Sequence, residues 1–135
     1  QVHELPSRAS YELKKGDIIT AVAGNSVGTK KHATALVTEV FEGSICTNGF
    51  RVLRNFKINS YYLLYYLRSD IFLKQMYMYR TGAAIPSVSD TDFSNIIVYL
   101  PGEEKIVEIS NKMMKAFELR NLSKQQIESI NLEWK

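Results

Sequence analysis

Between Gly24 and His32 the chain reads Gly-Asn-Ser-Val-Gly-Thr-Lys-Lys-His, a run crowded with amide, hydroxyl and ammonium groups and punctuated by glycine. The missing side chains at Gly24 and Gly28 let backbone amides come close to an anion such as a phosphate. Lys30 and Lys31 add charge that neutralises it, and Asn25, Ser26, Thr29 and His32 offer the donors and acceptors that read base edges. These six residues form the first candidate nucleic-acid contact. The same run also reads as a solvated turn with no ligand.

Two further polar clusters carry the same chemistry. Asn48, Arg51, Arg54, Asn55 and Lys57 lie in and just after a strand-like stretch, where alternation sets Arg51 opposite in facing to Phe50 and Val52. Tyr79, Arg80, Thr81 and Gly82 form the other, in which Arg80 could fork onto a guanine edge or hold a phosphate and Thr81 sits beside it. The tyrosines at 61, 62, 65, 66, 77 and 79 could stack on bases, but at helical spacing such residues pack a core and keep the hydroxyl at its rim.

Catalytic chemistry finds no residues to carry it. His3 and His32 are the histidines, and neither stands near Cys46 or a carboxylate at metal-ligand spacing, so no metal and no cofactor are expected. Asp90 with Asp92 caps a helix start rather than forming an acid-base pair. The sequence has no phosphate-binding glycine motif, no adenine-methyltransferase run and no nucleophile-base set, so a small hydrolase is disfavoured and any methylation or cleavage falls to another polypeptide or another region of a longer chain.

The elements that must position these clusters follow from pattern. Ile18 to Val22 is short and β-branched, which predicts a strand buried on both faces, and Ala33 to Val40 and Ile45 to Arg54 read as two more strands around a turn at Glu42-Gly43. Asn59 or Ser60 caps a helix from Tyr61, a break at Arg68-Ser69-Asp70 starts a second helix through Tyr79, and Ser89 caps a short turn. Asn95 to Leu100 reads as a closing strand stopped by Pro101-Gly102. From Glu103 an amphipathic helix runs on, with Ile106, Ile109, Met113 and Phe117 on one stripe, and the Ser123-Gln126 capping box suggests a restart near Lys124.

The expected class is therefore α/β (α+β): a curved mixed β-sheet over residues 1–102 with a helical pair, followed by a long helix over 103–135. With 135 residues, 45% apolar, the chain can bury a core. Its 17 basic against 14 acidic residues leave a net charge of +3, a mild excess that suits a polyanion without requiring one. A single cysteine excludes an internal disulfide and suits a reducing compartment, the cytoplasm. No signal peptide or membrane span is read, and a start at Gln1 suggests a piece of a longer chain.

The order of these features, namely Gly16-Asp17-Ile18-Ile19, Gly24 to Gly28, Asn48-Gly49-Phe50-Arg51, the helix from Tyr61 to Ser69, Gly82 to Pro86, Ser89-Asp90, and Ile96 to Pro101 before a long helix, resembles a target recognition domain of a type I restriction-modification specificity subunit. The resemblance spans Leu13 to about Ile130. It implies a non-catalytic reader of one DNA half-site, with a helix that packs on a partner helix as a ruler. It further implies double-stranded DNA, a methyltransferase subunit and a restriction subunit as partners, and a dimer through the helix stripe Ile106, Ile109, Met113 and Phe117. The parent would be a two-domain subunit, a half-subunit or a fusion to an adenine methyltransferase. The proline pair and Glu-Gln common in that family before the helix are replaced here by Leu100-Pro101-Gly102-Glu103-Glu104-Lys105. A protein-interaction domain working through the same helix is the alternative.

Overall fold

A computed structural model describes residues 11–133, so His3 lies outside the described residues. The α+β class holds, with the strands divided between two antiparallel sheets. The larger sheet has the order β3-β2-β5, with β2 (Ile18–Ala21) central between β3 (Thr34–Leu36) and β5 (Phe50–Leu53). The smaller sheet pairs β1 (Tyr11–Glu12) with β4 (Ile45–Cys46).

Register decides which residues share a face. Ile18 stands opposite Leu36 and Leu53, and all three join the main core with Val27, Leu64, Phe72 and Met76. Ile19 stands opposite Val52, and both turn to a second, smaller cluster around Leu13, Val37 and Cys46. The central strand is thus covered on both faces, as its β-branched run predicts. Each fully buried side chain of this size contributes about 1.5–3 kcal/mol over its exposed state.

The helical pair forms where its caps predict. Asn59 Oδ1 accepts from Tyr61 N (2.8 Å) and Tyr62 N (3.3 Å) to open α1 (Ser60–Tyr66), and the Ser69 hydroxyl caps α2 (Asp70–Tyr79). Ser89 likewise caps the short α3 (Asp90–Ser94). Tyr62 and Tyr66 are buried as expected, whereas Tyr65 and Tyr77 are exposed.

Four expectations about the secondary-structure elements are corrected. The strand read over 45–54 is two strands in different sheets, because Asn48-Gly49 makes a turn closed by Phe50 N donating to Thr47 O (3.2 Å). The strand read over 33–40 stops at Leu36, and Glu39–Phe41 forms a 3-10 turn held by Lys15, whose amide donates to Glu42 (3.0 Å) and whose ammonium donates to Glu39 (2.6 Å). Residues 95–100 join no sheet; side chains hold them instead. The Gln75 amide brackets Ile97 (3.0 and 2.8 Å), the Tyr66 hydroxyl donates to Ile97 O (2.8 Å), and the Tyr62 hydroxyl donates to Tyr99 O. Finally, α4 (Glu103–Glu133) runs unbroken through Lys124, since the residues around Ser123 are adequate helix formers and the capping-box pattern finds no non-helical backbone to cap.

The first half of α4 packs on α1 and closes the core. Ile106, Ile109, Met113 and Phe117, expected as an assembly surface, lie against the domain's own core, and Phe117 meets Tyr61 edge to face. The apolar residues that α4 leaves exposed are others: Val107, Leu119, Leu122, Ile127, Ile130 and Leu132. No helix among the described residues is long and apolar enough to cross a membrane.

Candidate nucleic-acid interface

The fold ties the Gly24–His32 loop directly to the segment that follows Tyr79, with the turn carrying Asn48 and Arg51 alongside. The loop after β2 is tied to the segment after α2 by Gly24 N donating to Pro86 O (2.8 Å) and Val88 N donating to Val22 O (2.8 Å). Thr81 and Ser87 exchange two backbone bonds of 2.8 Å each, which closes residues 81–87 into a small clamp beside the loop. The 47–51 turn joins from the other side, where Gly49 O accepts from Val22 N (2.8 Å).

Within the loop, one residue acts as a peg. Val27 is buried, while Asn25, Ser26, Lys30 and Lys31 on either side are exposed. Successive turns give the segment its shape: Thr29 N and its hydroxyl both donate to Ser26 O (3.0 and 2.7 Å), and Lys31 N donates back to Thr29 Oγ1 (3.2 Å). Neither Lys30 nor Lys31 has an ion-pair partner among the described residues.

Other candidates prove to be braces. Arg80 Nη1 donates to Asn25 O and Val27 O (3.1 Å each) while its guanidinium stacks over Tyr77 at 4.1 Å, so it clamps the loop from beneath. Arg51 donates to Asp90 (2.6 Å), Asn48 O (3.0 Å) and Phe50 O (3.1 Å), which fastens the 47–51 turn to α3. Arg54 is bound to the buried Asp17. Asn48 and Thr81 keep exposed side chains.

His32 is half-buried and also structural. Its Nδ1 accepts from Gly28 N (3.0 Å), which places the ring proton on Nε2, and that nitrogen donates to Thr20 Oγ1 (2.8 Å); Thr20 in turn donates to Thr34 Oγ1 (2.8 Å). The ring packs edge-on against Phe72. Burial pushes its pKa below the ordinary 6.5. The folded state therefore holds fewer protons than the unfolded chain near that value, and the stabilisation present above pH 6.5 is lost as pH falls through the lower folded pKa. Thermal melts of the wild type should decline on acidification below about 6.5, whereas His32→Gln should start lower and show no such decline there. Parallel pH profiles would contradict this role.

Sequence reasoning missed one cation. Arg68 follows α1 in a break between helices, where nothing in the local pattern distinguishes it, yet it donates to Thr34 O (3.1 Å) on the edge of β3 and lines a groove of about 530 Å³ with Lys30 and His32. Cys46 is buried with a raised pKa, chiefly from desolvation, and no group of metal-ligating side chains is found among the described residues. The arrangement offers exposed amides, hydroxyls and ammonium groups on a braced backbone, and recognition is the chemistry such a set supports.

The family described as "Type I restriction modification DNA specificity domain" matches residues 3–132. This chain belongs to that family. The specificity domain is similar to a solved subunit, HsdS from Thermoanaerobacter tengcongensis, with 29% identity and a TM-score of 0.59 over 96% of this chain and 34% of that one. It is similar as well to a chain from a structure titled for the complex assembly and conformational transition of the type I R-M system, with 27% identity and a TM-score of 0.63 over 93% of this chain and 32% of that one. The domain thus spans about a third of the length of each. No curated protein sequence matches it.

Proposed function

We propose that this specificity domain reads one half of a bipartite DNA target through residues 24–32 and 80–87. Lys30 and Lys31 hold phosphates while Asn25, Ser26 and Thr81 address bases. The observation that carries this reading is the convergence of exposed polar side chains on a backbone braced from beneath by Arg80, His32 and Val27. Rigid presentation matters because a loop ordered before binding loses less entropy when it meets its target.

Chemistry belongs to partners in this reading: a methyltransferase subunit and a restriction subunit act on DNA that the domain positions. The exposed apolar residues on the second half of α4, among them Leu122, Ile127 and Ile130, support assembly with a further helix, either a second copy or another part of a longer subunit. Its place of work is the cytoplasm, where such a system meets DNA.

The test is selection of random duplexes on the chain at low and moderate salt, followed by sequencing. Enrichment of one short motif is expected. Lys30→Ala with Lys31→Ala should keep that motif while lowering the salt slope of binding by about 1.8, at about 0.9 for each phosphate no longer neutralised. Asn25→Ala should relax one position of it by about 1–3 kcal/mol. Recovery of DNA with no motif, or none at all, overturns the reading.

A further inference from the structure

Arg68 lies at the meeting of two surface cavities. The first is the groove shared with Lys30 at the edge of β3; the second, of about 190 Å³, is lined by Arg68, Phe117, Arg120 and Lys124 between β3 and α4. No carboxylate lines either one. Glu39 and Glu128 border an adjoining groove, where Glu39 is taken by Lys15. Among the described residues none of the cations Lys30, Arg68, Arg120 and Lys124 has an ion-pair partner.

Such an arrangement sets like charges side by side with no counterion between them. Partial desolvation beneath the exposed rim, and then the neighbouring charge of Arg120, both act against the Arg68 cation and lower its pKa below the usual guanidinium value. Its guanidinium is nonetheless fixed in place by the bond to Thr34 O (3.1 Å) on an open sheet edge. Like charges gathered without a counterion are relieved when an anion settles among them. Lys30 belongs to the recognition loop, so the anion at hand would be the sugar-phosphate backbone of the same duplex. An acidic protein surface would have no reason to begin at that loop.

We infer that Lys30, Arg68, Arg120 and Lys124 form a track for DNA phosphates, leading from the recognition loop past the edge of β3 to the middle of α4. The inference rests on the DNA-reading function proposed above. It assigns the body of α4 a contact with DNA flanking the read bases, and it predicts affinity without sequence information from these four side chains.

Affinity of the full chain for a duplex carrying the selected motif is measured between 50 and 200 mM salt, for the wild type, for Arg120→Gln with Lys124→Gln, and for Arg68→Gln. The α4 pair should lower the salt slope by about 1.8, so that it loses about 12-fold less affinity than the wild type across that range. Its selected motif should be unchanged. Arg68→Gln should lower the slope by about 0.9; because it gives up the bond to Thr34 O, the exposed α4 pair keeps the test decisive if that variant does not fold. A wild-type slope in the α4 pair with the motif intact overturns the track, including in favour of an acidic protein partner there, and leaves the reading standing. Failure of the wild type to enrich any motif overturns the reading itself.

Discussion

Arg54→Met is expected to destabilise the domain by about 3 kcal/mol, because it strands a buried carboxylate. The side chain of Asp17 is 3% exposed, and Arg54 meets it with two parallel bonds, Nε to Oδ1 at 2.9 Å and Nη2 to Oδ2 at 2.6 Å. Lys14 N adds a third donor to the same carboxylate at 2.8 Å. The guanidinium also donates to Glu12 O (3.0 Å), so one side chain ties β1 of the small sheet to the start of β2 and the end of β5. The pair is bidentate and charge-assisted, the strong form of this interaction.

The effect of the stranded charge can be separated from that of packing. Adding Asp17→Asn to Arg54→Met removes the charge, and the double variant should regain more than half of the stability in denaturant unfolding. If the double variant is no more stable than Arg54→Met alone, the buried charge is not the source. Arg54→Lys should fall between, since an ammonium keeps the charge but not the fork.

Arg54 also shows where sequence reading stops. Beside Asn55 and Lys57 it looks like one member of a basic cluster, and only the 37-residue separation from Asp17, closed by β2 and β5 pairing, reveals its partner. The same holds for Arg51 with Asp90 and for Arg80 with the carbonyls of 25 and 27. Local signals are more legible. Asn59, Ser69 and Ser89 cap helices where their types predict, because a cap is an interaction within three residues. The β-branched run at Ile18 is a strand because nothing else hides it.

A local pattern misleads where it meets a competing long-range partner. Asn95 to Leu100 has the composition of a strand, but Tyr62, Tyr66 and Gln75 reach its backbone groups first. The stripe from Ile106 to Phe117 has the spacing of an interface, but α1 lies close enough to bury it. Exposed cations such as Lys30 are legible as a type; whether each is free or spoken for is not.

Gly28→Ala is the other large destabilisation expected. Gly28 sits at φ +78°, a left-handed backbone that costs an alanine about 1–2 kcal/mol. A Cβ there would also lie 2.6 Å from Tyr77 N, 2.7 Å from its Cα and 2.8 Å from its Cβ. These are atoms of the last turn of α2 and cannot rotate away, so the loop must lift off the helix. Overpacking of this kind adds about 1–3 kcal/mol, and the total is expected near 3.

The consequence reaches binding as well as stability. Lifting residue 28 breaks the hydrogen bond that its backbone N–H donates to His32 Nδ1 and moves the Asn25 and Val27 carbonyls off Arg80, whose guanidinium is stacked on the same Tyr77. Asn25, Ser26, Lys30 and Lys31 are then no longer presented by a fixed backbone. Gly28→Ala should therefore weaken selective DNA binding more than Lys30→Ala does, at a temperature where the variant remains folded. The motif preference should degrade along with the affinity, because base contacts need position where phosphate contacts need only charge. Gly102→Ala, whose Cβ would meet nothing within 4 Å, serves as the control: it gives up only a favourable cap residue ahead of α4, so it should cost far less stability and leave the motif preference unchanged. A Gly28→Ala variant with wild-type stability would mean that the loop and α2 do not approach each other as closely as described.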